Sequence, residues 1–116
     1  MQGRTLIVMD LEQDRKDMRI GTGLEYRPGE PVFVHIVRRD RRRSVSDDGA
    51  AIAKAGRVAG WRAVADWLGG EAGVNVSRQG VVSLPVVPAG PGLEAIVRRI
   101  ADASLAFYQE LLELRQ

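Results

Sequence analysis

Residues 18–57, MRIGTGLEYRPGEPVFVHIVRRDRRRSVSDDGAAIAKAGR, decide the fold class of this chain. At the start of the stretch, Met18, Ile20, Thr22, Leu24 and Tyr26 alternate with Arg19, Gly21, Gly23, Glu25 and Arg27. Successive strand side chains point to opposite faces, so the alternation predicts a strand buried on one side. Pro28-Gly29 then predicts a type II corner, proline fixing φ at the first central position and glycine taking the positive φ of the second. Pro31 has no N–H, and regular pairing is expected only beyond it. Val32-Phe33-Val34-His35-Ile36-Val37 is apolar on both faces apart from His35, which suits a central strand covered on both sides. Its β-branched residues and flanking turns favour a strand over a buried helix. Residues 38–43 make the next turn, Ser44-Val45-Ser46 begins a return strand, and Ser46-Asp47-Asp48-Gly49 opens an alanine-rich helix. Ser46 or Asp47 can cap the first amides of that helix, where the dipole favours a carboxylate.

Working outward, Thr5–Leu11 fits either helix or strand. The polar helix formers that follow, with Ile7, Leu11 and Met18 in one stripe, predict a helix from about residue 4 to 17. Beyond the stretch, Trp61, Val64 and Leu68 are spaced as on one helix face over 57–68. Gly56 and Gly60 predict a break before that helix and Gly69-Gly70 its end. Trp61 and Trp67 lie on different faces, and at least one is expected in the core. Gly73–Ser77 and Val81–Leu84 around Arg78-Gln79-Gly80 predict a second hairpin. Pro85, Pro88 and Pro91 predict an extended connection that cannot sit in mid-sheet. The last element is the clearest: Leu93, Ile96, Val97, Ile100, Ser104, Phe107, Tyr108 and Leu111 trace a helical stripe through 93–116, with no Pro or Gly. The fold class is therefore α+β, an antiparallel meander and hairpins packed against helices, with a long C-terminal amphipathic helix.

With 116 residues, 45% of them hydrophobic, the expectation is a single domain over 1–116 with its own core. The chain has no cysteine, which excludes a disulfide, a thiolate zinc site and a cysteine nucleophile, and fits a reducing cytoplasm. No apolar run approaches the roughly 18 residues of a membrane span, and no signal-peptide layout opens the chain, so a cytoplasmic protein without a membrane partner is expected. The formal charge is +2, from 17 basic and 15 acidic residues. Residues 38–43 alone contribute five arginines and one aspartate, or +4, leaving 12 basic and 14 acidic residues elsewhere, or −2. All the positive excess therefore falls on one turn.

The strand, the Gly29-Glu30 turn, the Val32-Phe33-Val34-His35-Ile36 strand, and Ser46-Asp47-Asp48-Gly49 before a helix together resemble a bacterial family numbered 1828 among the domains of unknown function. The resemblance extends loosely through Val74–Leu84 and the final helix. It implies a small intracellular α+β domain, in some cases from phage or mobile elements, with no assigned activity.

Few residues suggest chemistry. Asp47 and Asp48 offer the oxygens Mg²⁺ takes, but Lys16 and Lys54 stand in no nuclease-like spacing, and capping explains the same residues. His35 is the only histidine; without an evident nucleophile or orienting carboxylate it reads as a packed ring. Ile20-Gly21-Thr22-Gly23-Leu24 lacks the third glycine and the strand-to-helix setting of a phosphate loop, so its glycines read as close packing or a bulge. A non-catalytic chain is expected, with no metal set and no cofactor. The functional expectation is an interaction module that binds another protein and self-associates, as a homodimer, through Leu105, Tyr108 and Leu112 on the wide apolar end of the last helix. The alternative is a nucleic-acid-binding accessory using Arg38, Arg39, Arg41, Arg42 and Arg43 as a phosphate clamp. The same arginines would equally suit an acidic protein partner or a solvated loop.

Overall fold

The computed structural model describes the backbone of residues 7–9 and the chain from residue 18 to 116. Its strands are β1 (Ile7–Met9), β2 (Met18–Arg27), β3 (Glu30–Arg39), β4 (Arg42–Ser46), β5 (Asn75–Val76) and β6 (Val82–Val86). Its helices are α1 (Ala50–Ala55), α2 (Trp61–Ala72) and α3 (Leu93–Arg115). The six strands form one antiparallel sheet in the order β1-β2-β3-β4-β6-β5. Helix α3 lies across β2, β3, β4 and β6, and α1 and α2 pack on α3. The class is the α+β expected.

The meander forms as the alternation dictates. Ile20 and Tyr26 of β2 point into the core, while Arg19, Glu25 and Arg27 are exposed. Gly29, at φ 85°, completes the Pro-Gly corner. Gly23, at φ 86°, lies where the β2–β3 register shifts between Gly21 and Glu25, so this glycine serves a bulge. Val32, Val34 and Ile36 of β3 meet Val45 of β4 and the buried side of α3, where Ile100, Phe107 and Leu111 are inaccessible. Tyr26 and Tyr108 meet edge to face, with ring centroids 5.3 Å apart.

Five expectations change. Residues 7–9 form an edge strand on β2, not part of a helix, because an Ile-Val-Met run satisfies a sheet edge as readily as a helix face. The rest of the expected 4–17 helix lies outside the described residues. Strand β3 is covered on one side only: Phe33, His35 and Val37 are half-buried on a face that no described helix covers. Helix α2 starts at Trp61 and runs through Gly69-Gly70 to Ala72. It stops at Gly73, whose φ of 68° lets its N–H return to the Gly69 carbonyl. Pro85 belongs to β6, opposite Ser44, at a point where β5 has ended and β6 has a single neighbour. Of the tryptophans, Trp61 packs partly against the core and Trp67 is 46% exposed.

Candidate functional site

Strands β3 and β4 are joined by two residues, Asp40 and Arg41, at φ 49° and 71°, inside the closing pair Arg39–Arg42. Positive φ at both central positions is the type I′ geometry whose twist matches two-residue hairpins. Asn-Gly or Asp-Gly normally occupies it. Asp40 tolerates the left-handed region, but Arg41 stands where glycine is preferred, at a cost on the order of 1 kcal/mol.

The register distributes the arginines. Arg38 and Arg43 face each other on the side of Ile36 and Val45, the helix side; Arg39 and Arg42 face each other on the side of Val37 and Ser44, the outer side. Arg41 occupies the apex. All five are exposed. Like charges directly opposite in a sheet are destabilising, and this hairpin stacks two such pairs. Among the described residues none of the five makes an ion pair; the pairs formed are Arg27–Glu30, Lys54–Glu30 and Arg62–Asp66. Glu30 is not a counterion for the tip: Lys54, and then Arg27, hold its carboxyl below the usual carboxylate range.

Each side of the hairpin borders a hollow. On the helix side a groove of about 700 Å³ runs between Arg38, Arg41, Arg42 and Arg43 and the connection from Pro85 to Leu93, with no carboxylate in its lining. Val87, 47% exposed, supplies an apolar wall. Gly92, which has no side chain to cap α3, brings the positive end of that helix to the same groove. On the outer side a depression of about 560 Å³ is bordered by Val37, Arg39, Arg42, Arg43, Ser44 and Pro85, with Asp40 at its rim.

The opposite end of β4 is the electrostatic reverse. Asp47, fully buried, accepts hydrogen bonds from the N–H of Gly49 at 2.8 Å and of Val82 at 3.0 Å, with Ala51 N–H at 3.5 Å. The Ser104 hydroxyl donates to Asp47 Oδ2 at 2.6 Å, and Tyr26 Oη lies 2.7 Å from Ser104 Oγ. Ser104 has one proton, given to Asp47, so Tyr26 must donate to Ser104. Burial pushes the Asp47 carboxyl above its ordinary range, and the bonds from Ser104, Val82, Gly49 and Ala51 offset part of that. Burial likewise pushes the Tyr26 hydroxyl up to about 12, with Ser104 opposing. The N-cap position of α1 is Gly49, without a side-chain cap; Asp47, two residues before it, holds the Gly49 and Val82 amides and the Ser104 hydroxyl, and so ties the start of α1, β6 and α3 together. Asp48 is exposed on the turn, with its N–H given to Ser46 Oγ.

Of the three residues expected to mediate self-association, one does not reach the surface. Tyr108 is 1% exposed and belongs to the core, so it is no interface residue; Leu105 and Leu112 are half-buried against the core. The apolar arc of α3 is wide because the helix packs on the sheet and also on α1 and α2. Leu114 lies near Gly60 yet is 41% exposed, and Arg115 Nη1 bonds the Ala55 carbonyl at 3.0 Å.

Sequence reasoning missed two features. Ser104 sits in the buried stripe of α3, where a lone hydroxyl needs a partner; that need was the available signal. On the outer face, the Arg19 guanidinium lies 4.2 Å from the centroid of Phe33. Strand parity puts Phe33, His35 and Val37 on one side, but parity alone does not tell an open face from a covered one.

No family model matches the chain, and neither a curated protein nor a solved structure resembles it significantly. Among the described residues no helix is long and apolar enough to cross a membrane.

Proposed function

We propose that this chain is a non-catalytic binding module whose arginine hairpin clamps the phosphate backbone of a nucleic acid. One observation carries the reading: five exposed arginines with no ion-pair partner among the described residues, crowded on a two-residue turn, with one of them in a backbone conformation that favours glycine. Crowding and strain both oppose folding, and a bound polyanion offsets the first. Arginine suits phosphate because its planar fork donates two parallel hydrogen bonds to one anion. Because the register sends one arginine pair to each side, a single backbone meets about three of the five at once, the apex and one pair.

The test is the salt dependence of binding, followed by anisotropy with labelled DNA or RNA. Three phosphate contacts give a slope of log affinity against log salt of about −2 for a single strand and about −2.7 for a duplex. A slope near zero, or no binding in low salt, rejects the clamp.

A further inference from the structure

We infer that the outer face of the sheet is a track for single-stranded nucleic acid, running from Phe33 and Arg19 to Arg39 and Arg42. This inference rests on the phosphate-clamp reading and adds to it a path and a preference for single strands. Phe33, His35, Val37 and Arg39 follow one another on one side of β3, a run of about 20 Å at the usual rise of roughly 3.3 Å per residue. No described helix covers that side, although Phe33 and Val37 are large apolar residues that a sheet ordinarily buries.

The chemistry along the run fits one class of occupant. At one end Phe33 faces Gly21, which has no side chain to cover the ring, and the Arg19 guanidinium lies over that ring at 4.2 Å. An aromatic ring joined to a guanidinium plane is a ledge for an unstacked base, whichever base it is. At the other end Arg39 and Arg42 take the backbone, with Ser44 between them and the middle of the sheet. Between the two ends no carboxylate faces outward among the described residues; Glu25 lies beyond Phe33 and Asp40 at the tip. Among the described residues the face is thus positive at both ends and uncharged between, with Val37, His35 and Ser44 along it, complementary to a polyanion with exposed rings. A duplex keeps its base faces stacked inside and gains nothing from Phe33. An acidic protein would meet the arginines but has no general use for the ledge.

The experiment uses the full chain with a labelled oligothymidylate of about 12 nucleotides, within the range of known single-strand sites, and a duplex of equal length. Binding is followed by anisotropy and by the ring proton signals of His35, the only histidine and the centre of the track. The expected result is single-strand affinity at least about tenfold above duplex affinity, with His35 signals shifting on titration. Phe33→Leu should lower single-strand affinity roughly 5- to 100-fold, leaving the salt slope and duplex binding unchanged. Equal affinity for both forms, a neutral Phe33→Leu and an unmoved His35 overturn the track. The clamp survives that result if the combined Arg41→Ser, Arg42→Ser and Arg43→Ser variant still loses binding. Absence of binding to either form overturns both. Should Phe33→Leu fail to fold, the strand preference and the His35 signals of the parent protein decide.

Discussion

The two ends of β4 handle charge in opposite ways. At Ser46-Asp47 a carboxylate is fully buried, and three backbone amides and a hydroxyl converge on it. At Arg42-Arg43, four residues away, guanidinium groups face other guanidinium groups in solvent. Elsewhere arginine serves the fold: Arg62 bonds the Ser77 carbonyl at 2.8 Å, Arg57 that of Gln79, and Arg115 that of Ala55. The contrast separates charges that the fold uses from charges that it merely carries. A charge carried without a partner among the described residues, at a site of backbone strain, is a candidate for function.

Substitutions at the two ends should therefore differ in kind. The largest effect is expected for Asp47→Ala, which strands the amides of Gly49 and Val82 and the Ser104 hydroxyl in the core. Unfolding in urea should show a loss on the order of 4 kcal/mol. Ser104→Ala removes one bond from Asp47 and the acceptor of Tyr26, and should cost about 2 kcal/mol by the same measurement. A loss from either variant no larger than that of a surface substitution would break the comparison.

The pH dependence sharpens it. Burial raises the folded-state value of Asp47, so the folded chain holds that proton more tightly than the unfolded one. The Asp47 contribution to stability is then fully present below its ordinary value of 3.8 and declines as pH rises through the raised value. Melting temperatures of the parent and of Asp47→Asn, compared from about pH 3 to pH 7, should show the parent losing ground as pH rises. A parent that gains ground instead would mean that the four hydrogen bonds outweigh burial.

The smallest effect belongs to the hairpin. Arg41→Gly relieves the left-handed strain, less the entropy that glycine loses on folding, for a net gain of at most about 0.5 kcal/mol. The same variant should reduce the salt slope of nucleic-acid binding by a little under one. Stabilisation with weakened binding is the signature of strain kept for function.

Much of this architecture was legible in the sequence because local signals agreed with the global fold. The Met18–Tyr26 alternation, the Pro28-Gly29 corner and the uninterrupted stripe of α3 each correspond to an element in place. The departures arose where a local signal has two solutions. Ile7–Met9 suits either a sheet edge or a helix. Two glycines after Leu68 are tolerated in α2 because Gly73 stops it better. The wide arc of α3 reads as an interface, yet Tyr108 within it belongs to the core, and the sheet, α1 and α2 take up part of the rest. The hairpin was legible as a basic turn from composition; its division of arginines between two faces was not, since it depends on the register Arg39–Arg42. The Asp47–Ser104–Tyr26 chain joins residues 57 and 78 positions apart, which no local pattern connects.

The central claim is that the hairpin arginines serve binding and not folding. The measurement that meets it most directly is the nucleic-acid affinity of the combined Arg41→Ser, Arg42→Ser and Arg43→Ser variant in low salt, taken with its urea midpoint. Removing the crowded charges should leave that midpoint unchanged or raised, while affinity falls more than about tenfold, as expected when two or more phosphate contacts are lost. An unchanged affinity, or a midpoint that falls along with it, would contradict the account and return these arginines to the fold.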